Sequence, residues 1–359
     1  MLLPDFPWDR LEPFKKTASA HPGGLVDLSV GTPVDPTPQL VRDALAAASD
    51  AHGYPLTYGT PALREAVAGW LDRRLGVAAD PAAVLPAIGT KELVAWLPLL
   101  LGVGPGDTVV FPALAYPTYD IGARIVGATG VAADGLLTLG PATPKIVWLN
   151  SPSNPTGKVL PAAHLRKVVE WARERGVIVI SDECYIELVW EGEEPVSILH
   201  PDVCGGSHEG LLAIHSLSKR SNLAGYRAGF VTGDPALVKR LLEVRKHAGM
   251  IMPAPVQAAM TVAYGDDQHV KEQHARYAAR RASLKPALEA HGFRIDHSEA
   301  SLYLWSTRDE PCWDTVAHLA SLGILVAPGD FYGTAGSHHV RIALTATDER
   351  IAEAVTRLT

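Results

Sequence analysis

Short runs of consecutive apolar residues recur between residues 83 and 232, and each ends in small or polar residues. A strand buried on both faces of a parallel sheet is apolar at successive positions, whereas a half-buried strand alternates. Helix-length segments separate several runs, such as Pro161–Arg175, which Gly176 would end. The alternation predicts an α/β fold with a mainly parallel sheet in a large domain, residues 45–250. The predicted strands are Ala83–Ile88, Thr108–Phe111, Lys145–Leu149, Val177–Ile180, Leu211–Ile214 and Ala228–Thr232.

The pattern changes after Pro253 and Pro255. Gln268–His291 is rich in Ala, Arg, Lys and Glu and precedes Gly292, which predicts one long helix. Short apolar runs separated by turn residues and a short helix come next, which predicts a smaller α+β domain over residues 251–359. These runs are Ser301–Trp305, Ile324–Ala327 and Val340–Leu344.

The N-terminal segment contains Pro33, Pro36 and Pro38, and we expect it to be largely extended up to about residue 40. Residues 1–44 would then form an N-terminal arm together with part of the small domain. Such an arm could lie on the small domain of its own chain or on a partner subunit.

Composition and charge narrow the class of protein. The chain has 359 residues, of which 47% are hydrophobic and 20% charged, as in globular proteins and unlike disordered ones. Lys and Arg number 32 against 39 Asp and Glu, so the formal net charge is 32 − 39 = −7. This acidic balance argues against nucleic acid as the main partner, because phosphate backbones require a dense positive surface.

The cysteines and the apolar stretches bear on localisation. Cys184, Cys204 and Cys312 form no CxxC pair, so neither a zinc ribbon nor a disulfide framework is indicated, and a reducing cytoplasm fits best. The N-terminus lacks the basic and apolar regions of a signal peptide. Leu93–Val103 is the most apolar stretch, and it is too short to span a bilayer. We therefore expect a cytoplasmic protein without a membrane partner.

Candidate chemistry follows the ends of the predicted strands. In an open parallel sheet, ligands bind beyond the carboxyl ends of the strands, so the residues after each run would face a common site. Those residues include small residues at a helix start, aromatic rings, an amide, a carboxylate, hydroxyls, a lysine and an arginine. They are Gly89, Thr90, Lys91, Tyr116, Asn154, Asp182, Tyr185, Ser216, Ser218, Lys219 and Arg227.

This set contains the groups that pyridoxal phosphate needs. Lys219 would form the Schiff base and then move the α-proton of a substrate. Asp182 would keep the pyridine nitrogen protonated, so that the ring can accept electrons. The helix start at Gly89, the serine hydroxyls and Arg227 would bind the phosphate.

The segment from Ser216 through Ser218, Lys219 and Arg227 resembles the lysine signature of class I and II aminotransferases of pyridoxal-phosphate fold type I, apart from one residue of spacing. The resemblance extends over essentially the whole chain. It implies a large, mainly parallel αβα sandwich domain and a smaller α+β domain. It also implies that Lys219 is the Schiff-base lysine, with the two serines and Arg227 on or near the phosphate.

Further motifs of the same family carry the other expected contacts. Asn150–Gly157 resembles the family's N-P-T-G loop, which implies that Asn154 bonds the phenolic oxygen of the cofactor and lies next to the substrate. Asp182 and Tyr185 resemble its D-x-x-Y element, which implies an aspartate on the ring nitrogen and a tyrosine on the phenolic oxygen. Tyr116 takes the place of the ring that stacks on the pyridine.

The resemblance also implies substrate contacts and a dimer. Arg341 matches the small-domain arginine that grips the substrate α-carboxylate through a bidentate pairing. Gly31 matches the glycine whose backbone approaches the same carboxylate. Tyr58 resembles the tyrosine that reaches the phosphate of a neighbouring subunit, so a homodimer with the site at its interface is implied.

Each of these residues also has an ordinary structural interpretation. Asp182 could be a helix N-cap, Asn154 could shape a turn before a proline, and Arg341 could form a salt bridge on a strand surface. Tyr116 and Tyr119 could be packing aromatics. No ligand spacing supports a metal site at His215, His338 or His339, so we expect none.

The chain departs from the family pattern at Thr90 and Lys91 in the phosphate loop, and at Ala300 and Ser301, where many members carry glycine. These departures bear on substrate choice or on phosphate contacts. They leave the class of chemistry unchanged.

The substrate is the finer question. The chain is most similar to succinyldiaminopimelate aminotransferases of high-GC Gram-positive bacteria, which implies glutamate as amino donor and the lysine and diaminopimelate pathway. An acceptor with several carboxylates needs a second cation, and the candidates are Arg10, Lys15, Lys16, Arg220 and Arg245. Another aminotransferase of the class (aspartate, aromatic or acetylornithine-like) or a C–S β-lyase would use nearly the same residues. A non-catalytic regulator that binds the cofactor is disfavoured, because residues 1–40 contain no helix-turn-helix pattern.

Overall fold

The computed structural model describes residues 3–135 and 143–359. The α-helices are α1 (Glu12–Ser19), α2 (Gln39–Ala47), α3 (Pro61–Leu75), α4 (Thr90–Leu100), α5 (Thr118–Ile125), α6 (Ala162–Arg175), α7 (Pro201–Cys204), α8 (Leu217–Arg220), α9 (Pro235–Ala248), α10 (Ala254–Gly265), α11 (Gln268–Ala290), α12 (Cys312–Ser321) and α13 (Asp348–Leu358). The strands are β1 (Val26–Asp27), β2 (Val84–Ile88), β3 (Thr108–Phe111), β4 (Thr129–Ala132), β5 (Ile146–Asn150), β6 (Ile178–Asp182), β7 (Leu211–Ser216), β8 (Ala228–Gly233), β9 (Arg294–Asp296), β10 (Tyr303–Thr307), β11 (Ile324–Leu325), β12 (Ala327–Pro328) and β13 (Val340–Ala343).

A seven-stranded sheet with the order β2-β8-β7-β6-β5-β3-β4 forms the centre of the chain. Strands β3 to β7 run parallel to one another, and β8 runs antiparallel to both of its neighbours. The predicted α/β fold with a mainly parallel sheet is therefore confirmed. Each of the predicted runs in this region forms a strand, with ends that differ by at most a few residues.

Both faces of this sheet are covered. Every residue of β5 is buried, and successive residues pack into opposite layers because side chains of a strand alternate between its two faces. Ile146 and Trp148 belong to one apolar cluster, whereas Val147 and Leu149 belong to another. Burial on both faces is the reason that the strand is apolar at consecutive positions.

Strand β4 lies at the edge of the large sheet and was not predicted. Its four residues are exposed or half-buried, and one of them is Gly130. A strand at an edge, with little apolar surface to bury, leaves a weak sequence pattern.

The C-terminal part forms a four-stranded antiparallel sheet with the order β12-β13-β10-β9, and β1 pairs in parallel with β11. The predicted run Ile324–Ala327 is divided between β11 and β12, which belong to different sheets. Strands β1 and β9 are only two and three residues long and were not predicted. The predicted long helix is confirmed as α11.

The expectation of a largely extended N-terminal segment is wrong for residues 7–19. Pro7–Leu11 is a 3-10 helix and α1 follows it directly. Trp8 packs against Phe331, and Phe14 packs against Trp313, so this segment is held on the C-terminal part by its aromatic residues. A proline in the first turn is compatible with a helix, because its missing N–H has no partner there in any case.

Helix α10 packs on α2 and α3, and its Ala259 and Met260 join the apolar cluster of the large sheet. The division of the chain at residues 44 and 250 stays a prediction. No helix in residues 3–135 or 143–359 has the length and the apolar composition that crossing a membrane requires.

Candidate active site

A cavity of about 470 Å³ lies where the strands of the large sheet end. Most of the residues that the sequence singled out line it, from both the large sheet and the C-terminal part. They are Gly31, Thr90, Lys91, Tyr116, Asn154, Asp182, Tyr185, Ser216, Ser218, Lys219, Arg227 and Arg341.

Register explains part of this convergence. Asn150 pairs with Asp182 across β5 and β6, and Ser216 pairs with Gly229 across β7 and β8. Since β5, β6 and β7 end at this edge of the sheet and β8 begins there, the residues just beyond the edge face the same space.

Gly89 and Tyr58 do not line the cavity. Gly89 has φ of 75°, and a Cβ atom there would overlap the guanidinium of Arg227, so a side chain at this position would displace that arginine. The Tyr58 ring lies 4.9 Å from the guanidinium of Arg64.

Lys219 lies in the short helix α8, directly after β7. Its Nζ donates a hydrogen bond to the carbonyl oxygen of Gly31. Burial lowers the pKa of Lys219, and the positive charges of Arg341 and Arg227 add to this effect. A lysine with a lowered pKa is more often uncharged, which is the form that can act as nucleophile or base.

Asp182 is buried and holds its carboxylate between two donors. Tyr119 Oη donates to its Oδ2 at 2.8 Å, and the Cys184 N–H donates to its Oδ1 at 3.2 Å. Burial raises the pKa of Asp182, although both hydrogen bonds act in the opposite direction. The carboxylate is therefore oriented, and it is placed to gain from a positively charged partner.

The loop after β5 is fixed by one asparagine and presents another. Asn150 Nδ2 donates to the carbonyl oxygen of Asp182 at 2.9 Å, and its Oδ1 accepts the Asn154 N–H at 2.7 Å. Asn154 Oδ1 in turn accepts a hydrogen bond of 2.9 Å from Arg341 Nη1.

Arg341 is 3% exposed and has only uncharged partners among the described residues. Besides Asn154, its Nη2 donates to the carbonyl oxygen of Ser29 at 2.8 Å, and its Nε has no hydrogen-bond partner among the same residues. The guanidinium lies over two aromatic rings, 3.9 Å from the centroid of Tyr303 and 4.9 Å from that of Tyr332. The rings hold the cation in place without neutralising it.

The comparison with protein families gives the identity of this arrangement. Residues 24–358 match the family described as aminotransferase class I and II. The chain belongs to this family. Class I and II aminotransferases use pyridoxal phosphate, which is therefore the cofactor of this aminotransferase.

Similar proteins of known name are also aminotransferases. The chain is 66% identical over 357 residues to 4-dedimethylamino-4-oxo-anhydrotetracycline transaminase OxyQ of Streptomyces rimosus, covering 99% of each chain. It is 64% identical over 358 residues to a probable aminotransferase of Mycobacterium tuberculosis, covering 99% of this chain and 85% of that one. A solved structure of a probable N-succinyldiaminopimelate aminotransferase from Thermus thermophilus aligns with a TM-score of 0.88 at 31% identity, over 98% of this chain and 99% of that chain.

The residues of the cavity fit pyridoxal phosphate. Helix α4 begins at Thr90, so free backbone N–H groups lie beside Arg227 and the hydroxyls of Ser216 and Ser218. These groups would bind a phosphate, while buried Asp182 and Lys219 would meet the ring nitrogen and the aldehyde carbon. The role of each residue stays a prediction.

Several residues that line the cavity were not among the predicted site residues. Tyr119 lies one helical turn after Tyr116 and was interpreted as a possible packing residue, while Cys184 lies inside the D-x-x-Y element. Nothing in the local sequence marks the others, because their neighbours in space are distant in the chain. The unpredicted residues are Phe6, Trp8, Val30, Tyr119, Asn150, Cys184 and Tyr303.

None of the cations proposed for a second carboxylate lines the cavity. Arg220 pairs with Glu187, Arg245 pairs with Glu92, and Arg10 pairs with Asp330. Lys15 and Lys16 are exposed on α1. The exposed Lys91 is the cation at the mouth, 5.3 Å from the ring centroid of Phe6. No cluster of three or more His, Cys, Asp or Glu that could hold a metal occurs in the part of the chain that the structure describes.

Proposed function

We propose that this aminotransferase transfers an amino group between two pairs of compounds, in lysine and diaminopimelate biosynthesis. One pair is glutamate and 2-oxoglutarate, and the other is N-succinyl-LL-2,6-diaminopimelate and its keto acid. The observation that carries the proposal is Arg341, a buried guanidinium without an acidic partner among the described residues. A buried charge is costly unless it is paired. A carboxylate that enters with the substrate would supply the missing charge.

Arg341 suits an α-carboxylate because a guanidinium donates two parallel hydrogen bonds to a planar carboxylate. Its Nε has no hydrogen-bond partner among the described residues and could donate one of these bonds. Binding there would leave the α-carbon of the substrate close to Lys219, whose Nζ already contacts the backbone of Gly31. Lys219 Nζ would then take the proton from the α-carbon and later donate it to a second carbon atom in the same reaction.

Pyridoxal phosphate, when bound, supplies an electron sink that makes the α-hydrogen of the amino acid acidic. The protein residues make that sink effective. Asp182, oriented by Tyr119 and by the Cys184 N–H, would hold a proton on the ring nitrogen. Asn154 and Tyr185 would donate to the phenolic oxygen, and the rings around Arg341 would exclude water from its charge.

Lys91 supports an acceptor with a second acidic group. It is exposed at the mouth of the cavity and forms no ion pair within the described residues. Phe6 and Trp8 lie next to the same opening and would pack against the carbon chain between two carboxylates. Arg341 and Lys91, two cations that line the same aromatic-lined cavity, suit an extended substrate with an acidic group at each end.

We also propose that the enzyme is a homodimer of the cytoplasm. Tyr58 does not line the cavity of its own chain, and Tyr54 and Leu56, close to it in the sequence, are exposed, the former completely. A second copy that covered these apolar residues would bring its Tyr58 to the phosphate end of the first site. The unpaired cysteines favour a reducing compartment.

A second candidate acceptor is a ring ketone of the 4-oxo-anhydrotetracycline type. It is favoured by the identity of 66% to the transaminase of Streptomyces rimosus that is named for such a compound. In that reaction the amino donor would still need Arg341, whereas a ketone without an adjacent carboxylate would not.

The test is a set of single-acceptor reactions with glutamate as donor. Acceleration with the keto acid of N-succinyl-diaminopimelate supports the proposal. A Lys91→Met variant should raise the KM for this acceptor about tenfold, as expected for loss of one charge-assisted contact. Lys15→Met removes an exposed cation outside the cavity and is the matched control.

Acceleration by the ring ketone alone would contradict the proposal in favour of the second candidate. If neither compound reacts while simple 2-oxo acids do, the substrate assignment is wrong and only the aminotransferase reaction remains. Release of pyruvate from cystathionine without any keto acid would instead indicate a lyase.

A further inference from the structure

Two tyrosine hydroxyls meet in the cavity beside Lys219. Tyr185 Oη and Tyr303 Oη are 3.1 Å apart, and their rings meet edge to face with centroids 5.8 Å apart. Both side chains are buried, and no other hydrogen bond from a described residue reaches either hydroxyl. The pair is therefore held by a single contact, in which either oxygen can be the donor.

Gly31 leaves room for the contact between the two hydroxyls, because it has no side chain. A Cβ atom at Gly31 would overlap the hydroxyl of Tyr303, so a larger residue there would displace it. The carbonyl oxygen of Gly31 also accepts the hydrogen bond from Lys219 Nζ. The Tyr303 hydroxyl and the reactive amine thus approach the same backbone unit.

The charges around the two hydroxyls differ. Burial raises the pKa of Tyr303, but the charges of Arg341 and Lys219 and the contact with Tyr185 outweigh it, so its pKa is lowered overall. Burial, with Tyr303 beside it, raises the pKa of Tyr185 well above its ordinary value. The more acidic hydroxyl of Tyr303 is therefore the better donor of the two, and the less acidic hydroxyl of Tyr185 is the better acceptor.

Binding of the cofactor would fix the direction of this hydrogen bond. If Tyr185 turns its only hydrogen toward the phenolic oxygen of the cofactor, its own oxygen can only accept from Tyr303. The hydroxyl of Tyr303, made acidic by Arg341 and Lys219, is a strong donor for that purpose. Chains of hydrogen bonds strengthen each other, so the donor at the end of the chain improves the one in the middle.

We infer that Tyr303 is a positioning residue, which donates to Tyr185 in the loaded enzyme and strengthens the hydrogen bond from Tyr185 to the phenolic oxygen of the cofactor. The inference rests on the proposed role of Tyr185. Tyr303 acts through Tyr185 and not on the substrate.

The experiment is a pH titration of the visible absorbance of the holoenzyme. The phenolic oxygen shares a proton with the nitrogen that joins the cofactor to Lys219, and every donor to that oxygen weakens its hold on the proton. Loss of a donor therefore raises the pKa of the absorbance change. Tyr303→Phe keeps the ring against Arg341 and removes the hydroxyl, and we expect this pKa to rise by about 0.5 to 1.

Tyr332→Phe is the matched control. Tyr332 also packs against Arg341, its hydroxyl is buried, and that hydroxyl has no hydrogen-bond partner among the described residues. Its removal should leave the pKa of the absorbance change where it is. An equal rise in both variants would overturn the inference, because it would reflect altered burial of Arg341.

Tyr185→Phe and the double variant complete the cycle. A rise with Tyr185→Phe, together with no further effect of Tyr303→Phe in that background, supports the relay through Tyr185. A Tyr303→Phe effect that persists without the Tyr185 hydroxyl, or the absence of any Tyr303→Phe effect, overturns the relay while the role of Tyr185 stands. An unchanged pKa with Tyr185→Phe would instead contradict the proposed role of Tyr185.

Discussion

The hydroxyl of Tyr119 donates a hydrogen bond of 2.8 Å to the carboxylate of Asp182, 63 residues further along the chain. The Tyr119 ring is fully buried and stacks on Trp148 with centroids 4.9 Å apart, so the donor cannot easily move. Asp182 is thereby oriented by a donor from α5 as well as by the Cys184 N–H, which follows its own strand.

We expect Tyr119→Phe to weaken cofactor binding about tenfold. The hydrogen bond lowers the pKa of Asp182, so its loss disfavours the charged form that a protonated ring nitrogen requires. A hydrogen bond to a charged group contributes about 1.5–3 kcal/mol, which corresponds to at least a tenfold change in an equilibrium constant. Equilibrium binding of pyridoxal phosphate to the apoenzyme measures the effect. Tyr264→Phe, which removes a buried hydroxyl without a partner among the described residues, should bind normally.

Arg341→Lys should raise the KM for glutamate by about tenfold to a hundredfold. A lysine keeps the charge but cannot form the bidentate contact, and such hydrogen bonds contribute about 1.5–3 kcal/mol. Steady-state kinetics with varied glutamate measure the change. The rate with an amine that has no carboxylate is the internal control, and an equal loss with that amine would show general damage to the site.

Ser301→Gly should increase the free energy of unfolding by about 1 kcal/mol. Ser301 is buried with φ of 73°, a conformation that costs a residue with a Cβ atom about 1–2 kcal/mol, and its hydroxyl has no hydrogen-bond partner within the described ranges. The greater freedom of glycine in the unfolded chain offsets part of the gain. Urea unfolding of both proteins measures the difference, and a destabilised variant would contradict this account.

Glu183→Gln should change how stability depends on pH. Burial raises the pKa of Glu183 from 4.5 to about 7 in the folded chain, whereas the unfolded chain releases the proton near the ordinary value. At Glu183 the folded state therefore binds more protons than the unfolded state between these values, so the contribution of this group to stability falls as pH rises from about 5 to 7. When the pKa of a group differs by one between the folded and unfolded chains, the free energy of unfolding changes by about 1.4 kcal/mol, so the loss is about 3 kcal/mol at pH 8.

Glutamine cannot titrate, and it can still accept the Ile198 N–H bond that Glu183 accepts at 2.8 Å. The variant should match the natural apoenzyme at pH 5 and exceed its stability at pH 8, as measured by urea unfolding. A difference that is the same at both values of pH would contradict a raised pKa of Glu183.

The sequence predicted the features that depend on local pattern. The run Thr108–Phe111 has the same ends in the structure, and its central Val109 and Val110 are buried in the apolar clusters on the two sides of the sheet. The strand-end residues converge for a topological reason, so Lys219, Asp182 and Asn154 could be brought together without coordinates.

The remaining features depend on neighbours distant in the chain. Tyr303 contacts Tyr185 across 118 residues, and no local spacing indicates that meeting. The helical segment at residues 7–19 packs against Phe331 and Trp313, which lie far along the chain in the C-terminal part. Edge strand β4 has too little buried surface to leave a pattern.

The first described residues have a practical consequence for work with this enzyme. Phe6 and Trp8 stack on each other with centroids 5.5 Å apart and line the opening through which a substrate would pass. An affinity tag fused ahead of them would be tethered within a few residues of that opening. No residue of α13 lines the cavity, so kinetic constants and inhibitor screens are best taken from C-terminally tagged or cleaved protein.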